Sequence, residues 1–518
     1  MKSLNNGPML LGIDLGAGSL KALLISPQGA TLGEASEPVS TLAPQPGWSE
    51  QDPADWWRAL CHAVPRAIHA SGRSADAIAG IALTAGAHIQ VLEDADGKVL
   101  RPAIMWNDQR SRHEVARLRN LADERILQIA HNRCSTTWTL PQLDWVRINE
   151  PEIARKTHRL YLAKDWLRSR LTGTWETDPI DALGTMMFDA TRQRWSDELC
   201  DMIGWNTASL PPIVALTSRV GEVTSVAAQV TGLRAGTPVI CGTSDTAAET
   251  YAAGMTQAGI SVVKLATAGT VSVLARDAKP DMSVISYYHV MPQHWYIITA
   301  TNSCASAHRW LRDRVVGGIA TQGVNYDAMD ALAAKVPVGS EGLYFHPQLN
   351  GERTPYWDPL LRASFVGLGF EHGPGHMTRA LYEGIAYSLR DCLETLRPQV
   401  ATISAARLTG GGARSATWRQ ILANVLGLEL ELPSSADASF GAALIAGLGV
   451  GIFSNEADAV KQTLRIESRH EPEPSLVQEY GEGFATYKEI QRSLAPIHHS
   501  IQSRLDQKRA AERAVQLR

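Results

Sequence analysis

Two segments in opposite halves of the chain share one plan: an apolar strand, a turn of small residues, then a second apolar strand. In residues 9–26 the turn is Gly16-Ala17-Gly18-Ser19; in residues 261–274 it is Thr267-Ala268-Gly269-Thr270. Apolar runs broken by glycine and small residues read as hairpins. One such hairpin in each half is what a phosphate clamp between two lobes would require. At 518 residues the chain is also too long to close around one core. Glycine lets backbone N–H groups turn inward as an anion-binding nest. Gly16, Gly18 and Ser19 on one side, with Thr267, Gly269 and Thr270 on the other, can hold one phosphate chain. Asp14, at the strand end beside the first turn, suits a divalent cation set between acid and phosphate. The plainer reading is a tight hairpin that merely needs glycine. No Gly-Lys-[Ser/Thr] follows, so this is not a Walker A loop.

The middle of the chain carries the candidate for chemistry. Residues 237–241 read as a buried strand that breaks at Gly242-Thr243-Ser244. Asp245 then stands where an Asp caps a helix, which Ala247, Ala248, Ala252 and Ala253 continue. A carboxylate at that junction faces the crevice where open α/β sheets bind ligands. Asp245 is therefore a candidate general base at the seam of two lobes, against the plain reading of a helix cap without chemistry. Residues 78–84 form another strand, with His88 just beyond it. Trp106, Asn107 and Asp108 follow a strand at 103–105. A flat apolar face beside fixed hydrogen-bonding groups suits a sugar, against a core Trp followed by a cap.

Asp52 and Pro53 start a helix as cap and first helical residue. Residues 113–175 read as mostly helical, 220–233 as a small β-unit and 377–396 as a long amphipathic helix. Residues 407–413 run from a strand into Gly410, Gly411 and Gly412, where a planar group such as adenine can lie on the backbone. A helix follows over 415–426. Residues 440–446 are a small-residue helix suited to close packing, and the tail from 477 is helical with a charged end at 503–518.

Composition narrows the function. The 49 basic and 53 acidic residues give a net charge of −4 with no long run of either sign. That argues against nucleic acid or a membrane surface as partner. Six scattered cysteines with no Cys-x-x-Cys pair speak against a disulfide framework or zinc site and fit a reducing cytosol. The N-terminus lacks signal-peptide anatomy, and no apolar stretch approaches the ~20 residues that span a bilayer.

Taken in order, Asp14-Leu-Gly-Ala-Gly-Ser, Gly47-Trp-Ser-Glu-Gln-Asp-Pro53, Trp106-Asn-Asp108, Gly242 to Asp245, Gly351-Glu-Arg-Thr-Pro355 and Thr409-Gly-Gly-Gly-Ala-Arg-Ser415 resemble the FGGY carbohydrate kinases, and within them the xylulokinases. The Lys164-Asp165-Trp166-Leu167 region and residues 366–383 are similar to family segments as well. The resemblance implies an α/β fold of two actin/hexokinase-like (ribonuclease H-like) lobes with an interlobe active-site cleft. It implies a sugar-binding lobe over 1–254 carrying the catalytic Asp, a nucleotide-binding lobe over 255–475 and a helical tail over 476–518.

The implied reaction moves the γ-phosphate of ATP to a terminal hydroxyl of a ketopentose such as D-xylulose, with Mg2+, in the cytoplasm. By this resemblance Asp245 is the base, and Asp14 is the acid near magnesium. Gly16, Gly18, Ser19, Lys21, Thr267, Gly269 and Thr270 serve the phosphates, while Gly411 and Gly412 serve the adenosine. His88, Trp106, Asn107, Asp108, Asp245 and Thr246 fall on the sugar side. The implied partners are a small-molecule sugar and ATP, with a homodimer left open. Xylulokinases usually read Gly-Gln-Met-His-Gly where this chain has Ala85-Gly86-Ala87-His88-Ile89, Asn where it has Thr246, and Thr where it has Ala17. The first two departures lie on the sugar side and leave ribulose, L-xylulose and xylitol as alternatives. The other class, a non-catalytic actin-like ATPase or sugar-binding protein, is opposed by the retained Asp14 and Asp245.

Overall fold

The computed structural model describes residues 7–316 and 325–516, and the chain divides into two compact units. The first comprises Met1–Thr256, Ala275–Tyr296 and Ser435–Arg465; the second comprises Gln257–Leu274, Ile297–Ser434 and Ile466–Arg518. The expected lobe over 255–475 is thus not one continuous segment. Two later stretches, 275–296 and 435–465, belong with the first unit, and the tail belongs with the second.

The first unit is organised on strands β1 (Met9–Leu15), β2 (Ser19–Ile25), β3 (Thr31–Pro38), β4 (Ile78–Ala85), β5 (Arg219–Glu222) and β6 (Pro238–Ser244), in the sheet order β3-β2-β1-β4-β6-β5. β1 and β2, and β2 and β3, pair antiparallel; β1, β4 and β6 run parallel; β5 closes the edge antiparallel. A second, seven-stranded sheet holds β7 (Ile260–Leu265), β8 (Gly269–Ala275), β9 (Trp295–Thr301), β10 (Ala405–Thr409), β11 (Glu429–Pro433) and β12 (Ile466–His470), which stand in the order β9-β8-β7-β10-β11-β12. β7 pairs antiparallel with β8 and parallel with β10, β10 runs parallel to β11, and β12 closes antiparallel. The shared core, β3-β2-β1-β4 in one sheet and β9-β8-β7-β10 in the other, is the duplicated ribonuclease H-like architecture; the far edge differs, β6-β5 in the first and β11-β12 in the second. A near-continuous apolar β1, buried except at Asp14, marks a central strand covered on both faces.

The helix Pro53–Ser71 covers β2 and β3, and the helix Ala438–Gly449 covers β1, β4 and β6. The second helix sits almost on the backbone of the sheet. A Cβ built on Gly12 would stand 1.8 Å from the Ser439 carbonyl oxygen, and one on Gly441 would stand 2.1 Å from that of Ala248. The small residues at 440–446 are there to allow this approach. Asp52 caps the first helix as anticipated, its carboxylate accepting from the Ala54 N–H at 2.9 Å, with Pro53 next. Asp52→Ala is expected to cost about 1 kcal/mol of stability, read as a shift of the denaturant midpoint.

Residues 220–233 are not a β-unit. After β5 the chain forms the helix Ser225–Thr231, capped by the Thr224 side chain at its start and by Gly232 in the left-handed region (φ 68°) at its end. Within 113–175 a strand, Arg159–Leu162, interrupts the helices. The tail forms the helix Pro474–Gln516. Its Tyr480 and Tyr487 are buried in the second unit, and its Lys488 pairs with Asp391 at 2.6 Å.

Candidate active site

Three parallel neighbours in the first unit end together. Leu15 of β1 and Ser244 of β6 both sit level with Ala85 of β4. Asp14, Gly86 and Asp245 therefore emerge side by side at the carboxyl edge of the sheet, the usual ligand edge of such sheets. Gly242 sets the last step. It lies at φ 78°, and a Cβ there would fall 2.0 Å from the Leu83 carbonyl oxygen. The β4–β6 register shifts across this residue, between Ile240 and Thr243. Such a bulge re-aims the residues after it.

Asp245 is not the helix cap. Ser244 holds that position (φ −67°, ψ 155°), and Asp245 is the first residue of the helix Asp245–Ala252. Its Oδ1 accepts from the Thr246 N–H at 2.5 Å and the Thr246 hydroxyl at 3.1 Å. A capping Asp would instead reach the N–H two or three residues on. The other oxygen faces the sheet edge: a Cβ on Gly86 would stand 4.0 Å from Asp245 Oδ2, 3.8 Å from Trp106 Cδ1 and 3.2 Å from Ile89 Cδ1. The half-buried carboxylate and the indole, which is 39% exposed, thus flank one spot that carries no side chain.

The residues predicted for the sugar separate into two groups. Trp106 and Asn107 are exposed, as a contact surface requires. His88 and Asp108 are buried and engaged within the protein. The Asp108 carboxylate accepts from the Ser49 N–H at 2.6 Å, the Arg110 N–H at 2.8 Å and the Arg110 guanidinium at 2.8 and 2.9 Å. The same guanidinium bonds Glu50 at 2.7 Å and lies 3.8 Å from the Trp48 ring centre. This ties residues 47–51 to the 106–110 turn, so Asp108 supports Trp106 from behind.

His88, in the left-handed region at φ 74°, is fixed from both ring nitrogens. Nδ1 stands 2.5 Å from the Gly184 carbonyl oxygen and Nε2 stands 3.1 Å from the Tyr287 hydroxyl. A carbonyl only accepts, so Nδ1 carries the proton and Nε2 accepts from the tyrosine. Burial lowers the imidazole pKa to about 4, against the opposing bond to Gly184, so the ring stays neutral. Trp138 packs edge-on at 4.7 Å, and Tyr296 stacks on Tyr287 at 5.1 Å. Burial, then Tyr287 and Asp245, push the Tyr296 phenol well above its usual range. Reading the sequence missed Trp138, Tyr287 and Tyr296. Aromatic residues carry no local signal of which distant loop they will meet.

The two turns expected to serve phosphate differ in how open they are. At 16–19 the Gly16 N–H donates to the Ser19 carbonyl at 3.0 Å, and Ala17 and Gly18 are exposed. A Cβ on Gly18 would meet nothing within 4 Å, and one on Gly16 would lie 4.0 Å from Asp14 Oδ2, so the carboxylate runs alongside an open turn. Among the described residues no group of three His, Cys, Asp or Glu side chains is placed to hold a metal ion. Mg2+ carried on nucleotide phosphates needs only one or two carboxylates with waters, and a hard oxygen donor beside an anion-sized turn fits that.

Lys21 is otherwise committed. Its ammonium pairs with Asp437 at 2.8 Å and Glu34 at 3.0 Å, which outweigh burial and raise its pKa. It anchors the start of the helix Ala438–Gly449. In the second unit Thr267 is exposed at the turn, Thr270 is half-buried, and Gly269 is buried where a Cβ would crowd Thr301 at 2.9 Å and Leu389 at 3.0 Å. Beside this turn, Gly410 packs so closely that a Cβ would stand 2.6 Å from the Leu265 carbonyl oxygen. Gly412 is packed against Trp418, whereas Gly411 is open. Ser415 caps the next helix, Ala416–Leu426.

Behind β6 lies a fully buried ionic cluster. Lys164 Nζ contacts Asp165 at 2.6 Å, Asp178 at 2.9 Å and Asp181 at 3.1 Å; Arg168 bonds Asp165 at 2.6 Å and the Cys241 carbonyl at 3.0 Å. The Thr243 hydroxyl donates to Asp178 at 3.0 Å. Burial alone would lower the Lys164 pKa, but the three carboxyl groups hold it well above the usual lysine range. Burial, assisted by Asp178 and Asp165 against Lys164, raises the Asp181 carboxyl well above normal. The cluster fixes the strand that delivers Asp245.

Comparison with known proteins finds one family along most of the chain. The N-terminal domain of the FGGY family of carbohydrate kinases matches residues 9–251, and the C-terminal domain of that family matches residues 264–450. The xylulose kinase of Escherichia coli (strain K12) is 32% identical over 503 residues, 94% of this chain and 100% of its own. The xylulose kinase of Bacillus subtilis (strain 168) is 30% identical over 497 residues, 95% of this chain and 99% of its own. The crystal structure of a xylulose kinase from Rhodospirillum rubrum superposes with a TM-score of 0.87 at 29% identity, covering 95% of this chain and 100% of the other.

Proposed function

Because the chain belongs to the FGGY family of carbohydrate kinases, we propose that it transfers the γ-phosphoryl group of ATP to a terminal hydroxyl of D-xylulose. The observation that carries this reading is the approach of the Asp245 carboxylate and the part-exposed Trp106 indole to one point, where Gly86 carries no side chain. The curated relatives named xylulose kinase, which align over almost the whole chain, support the choice of sugar.

Phosphoryl transfer needs positioning and charge neutralisation more than covalent help. Trp106 would carry an apolar face of the sugar and Asn107 its hydroxyls. Thr246 holds Asp245 Oδ1 and leaves Oδ2 directed at the sheet edge, where it takes the hydroxyl proton as the oxygen attacks phosphorus. His88 and Asp108 act through what they hold in place. The open turn N–H groups at 17–19 and the turn at 267–270 would bind phosphate oxygens, and Gly411 would underlie the adenine. Asp14 would hold Mg2+, which when bound neutralises charge on the transferring group. On this reading the enzyme works in the cytoplasm.

A coupled ADP-release assay over D-xylulose, D-ribulose, L-xylulose and xylitol tests the reading. ADP formation should depend on added sugar and be fastest with D-xylulose. ATP turnover indifferent to sugar would remove the kinase reading. Preference for another member of the panel would keep the chemistry and change the substrate. The vacant Gly86 position beside Asp245 is the feature that would favour such a change. Trp106→Ala is expected to raise KM for the sugar about tenfold with a smaller effect on kcat, since it removes contact made before and during transfer alike.

A further inference from the structure

Gln51 is completely buried, yet its side-chain amide reaches the exposed turn at 16–19. Nε2 lies 2.7 Å from the Ala17 carbonyl oxygen and 2.8 Å from the Thr41 hydroxyl, and Oε1 accepts from the indole N–H of buried Trp56 at 2.8 Å. The indole can only donate, so it selects which end of the amide faces which partner. Oε1 must face Trp56, and the NH2 group must face Ala17. In a trans peptide the N–H points opposite to the C=O. Holding the Ala17 carbonyl inward therefore directs the Gly18 N–H outward, at a position where a Cβ would meet nothing within 4 Å.

We propose that Gln51 is a positioning residue for phosphate binding: gripped by Trp56, its amide holds the Ala17 carbonyl from inside the first unit and aims the Gly18 N–H at the nucleotide's phosphates. The proposal rests on reading this turn as a phosphate site. The second unit uses the same device with other atoms. There the Thr267 carbonyl accepts from the Ser306 hydroxyl at 2.7 Å and the Cys304 N–H at 3.1 Å, which turns the Ala268 N–H the other way. Two turns of different sequence, each with its central carbonyl held from behind, have one geometric consequence in common. Preorganised N–H groups bind an anion without first being ordered.

The test compares three variants of the full chain: Gln51→Met, similar in length but without the amide; Trp56→Phe, which removes the N–H that selects the amide's orientation; and Gly18→Asp, which sets a negative charge at the open turn. Calorimetry gives Kd for ADP and, separately, for D-xylulose; hydrogen exchange reports the amides of residues 16–19. Gln51→Met should weaken ADP about tenfold and Trp56→Phe about threefold, the range of one neutral hydrogen bond. Both should speed exchange at Gly18 and leave D-xylulose binding within about twofold. If Gly18→Asp weakens ADP while both other variants leave it unchanged, the turn binds phosphate and Gln51 does not aim it. If Gly18→Asp also leaves ADP binding intact, the phosphate reading of the turn fails and this proposal with it. Equal loss of ADP and sugar affinity with a lowered Tm would make Gln51 a residue of the fold alone. Should Gln51→Met not fold, Trp56→Phe with its packing largely kept decides the matter by the same readouts.

Discussion

Asp245→Ala is expected to lower turnover about 10²- to 10⁴-fold, the usual weight of a general base, while ATP binds with nearly unchanged affinity. Asp245→Asn should do almost the same, because it keeps shape and hydrogen bonding but cannot take a proton. The two variants separate base catalysis from packing. Their stability should fall only slightly: Asp245 lies in the first turn of its helix, where a carboxylate contributes about 0.3–1 kcal/mol through the helix dipole. Coupled ADP release measures the first effect and a melting curve the second. Near-parental turnover in either variant would remove Asp245 from the chemistry.

Lys164→Met should produce the largest loss of stability, about 3–5 kcal/mol, because it strands buried carboxylates whose charge the ammonium balances. Denaturant unfolding of the first unit reads this out. Activity should fall further than the folded fraction explains, since Asp178 holds Thr243 two residues before Asp245. Adding Asp178→Asn to Lys164→Met should recover part of the stability by removing one stranded charge. A loss below about 1 kcal/mol for the single variant would mean that the buried carboxyl groups do not depend on the Lys164 ammonium.

What could be read from the residues was local. The Asp52-Pro53 cap and the two glycine-turn hairpins each depend on neighbours within a few positions and stand where they were expected, whereas the strand before Asp245, expected to break at Gly242, runs on to Ser244 through the bulge there. The error at 220–233 was also local: Thr224 as cap and Gly232 as stop are helix signals that alternation of apolar residues obscured. The rest depended on contacts far apart in the chain. Tyr287 meets His88 across 199 positions, and Lys21 meets Asp437 across 416. No periodicity reports such meetings. The distinction between Asp108, consumed by Arg110 and Ser49, and Asn107, exposed beside it, likewise needed the folded chain.

The return of residues 435–465 to the first unit has a bearing on how the protein is made. During synthesis β1, β4 and β6 emerge long before the Ala438–Gly449 helix that roofs them, so the ribosome releases most of the second unit while one apolar flank of the first sheet still lacks its cover. The amino-terminal half is therefore a poor candidate for expression by itself. The molecule reaches its finished form only when a late arrival folds back onto the earliest strands.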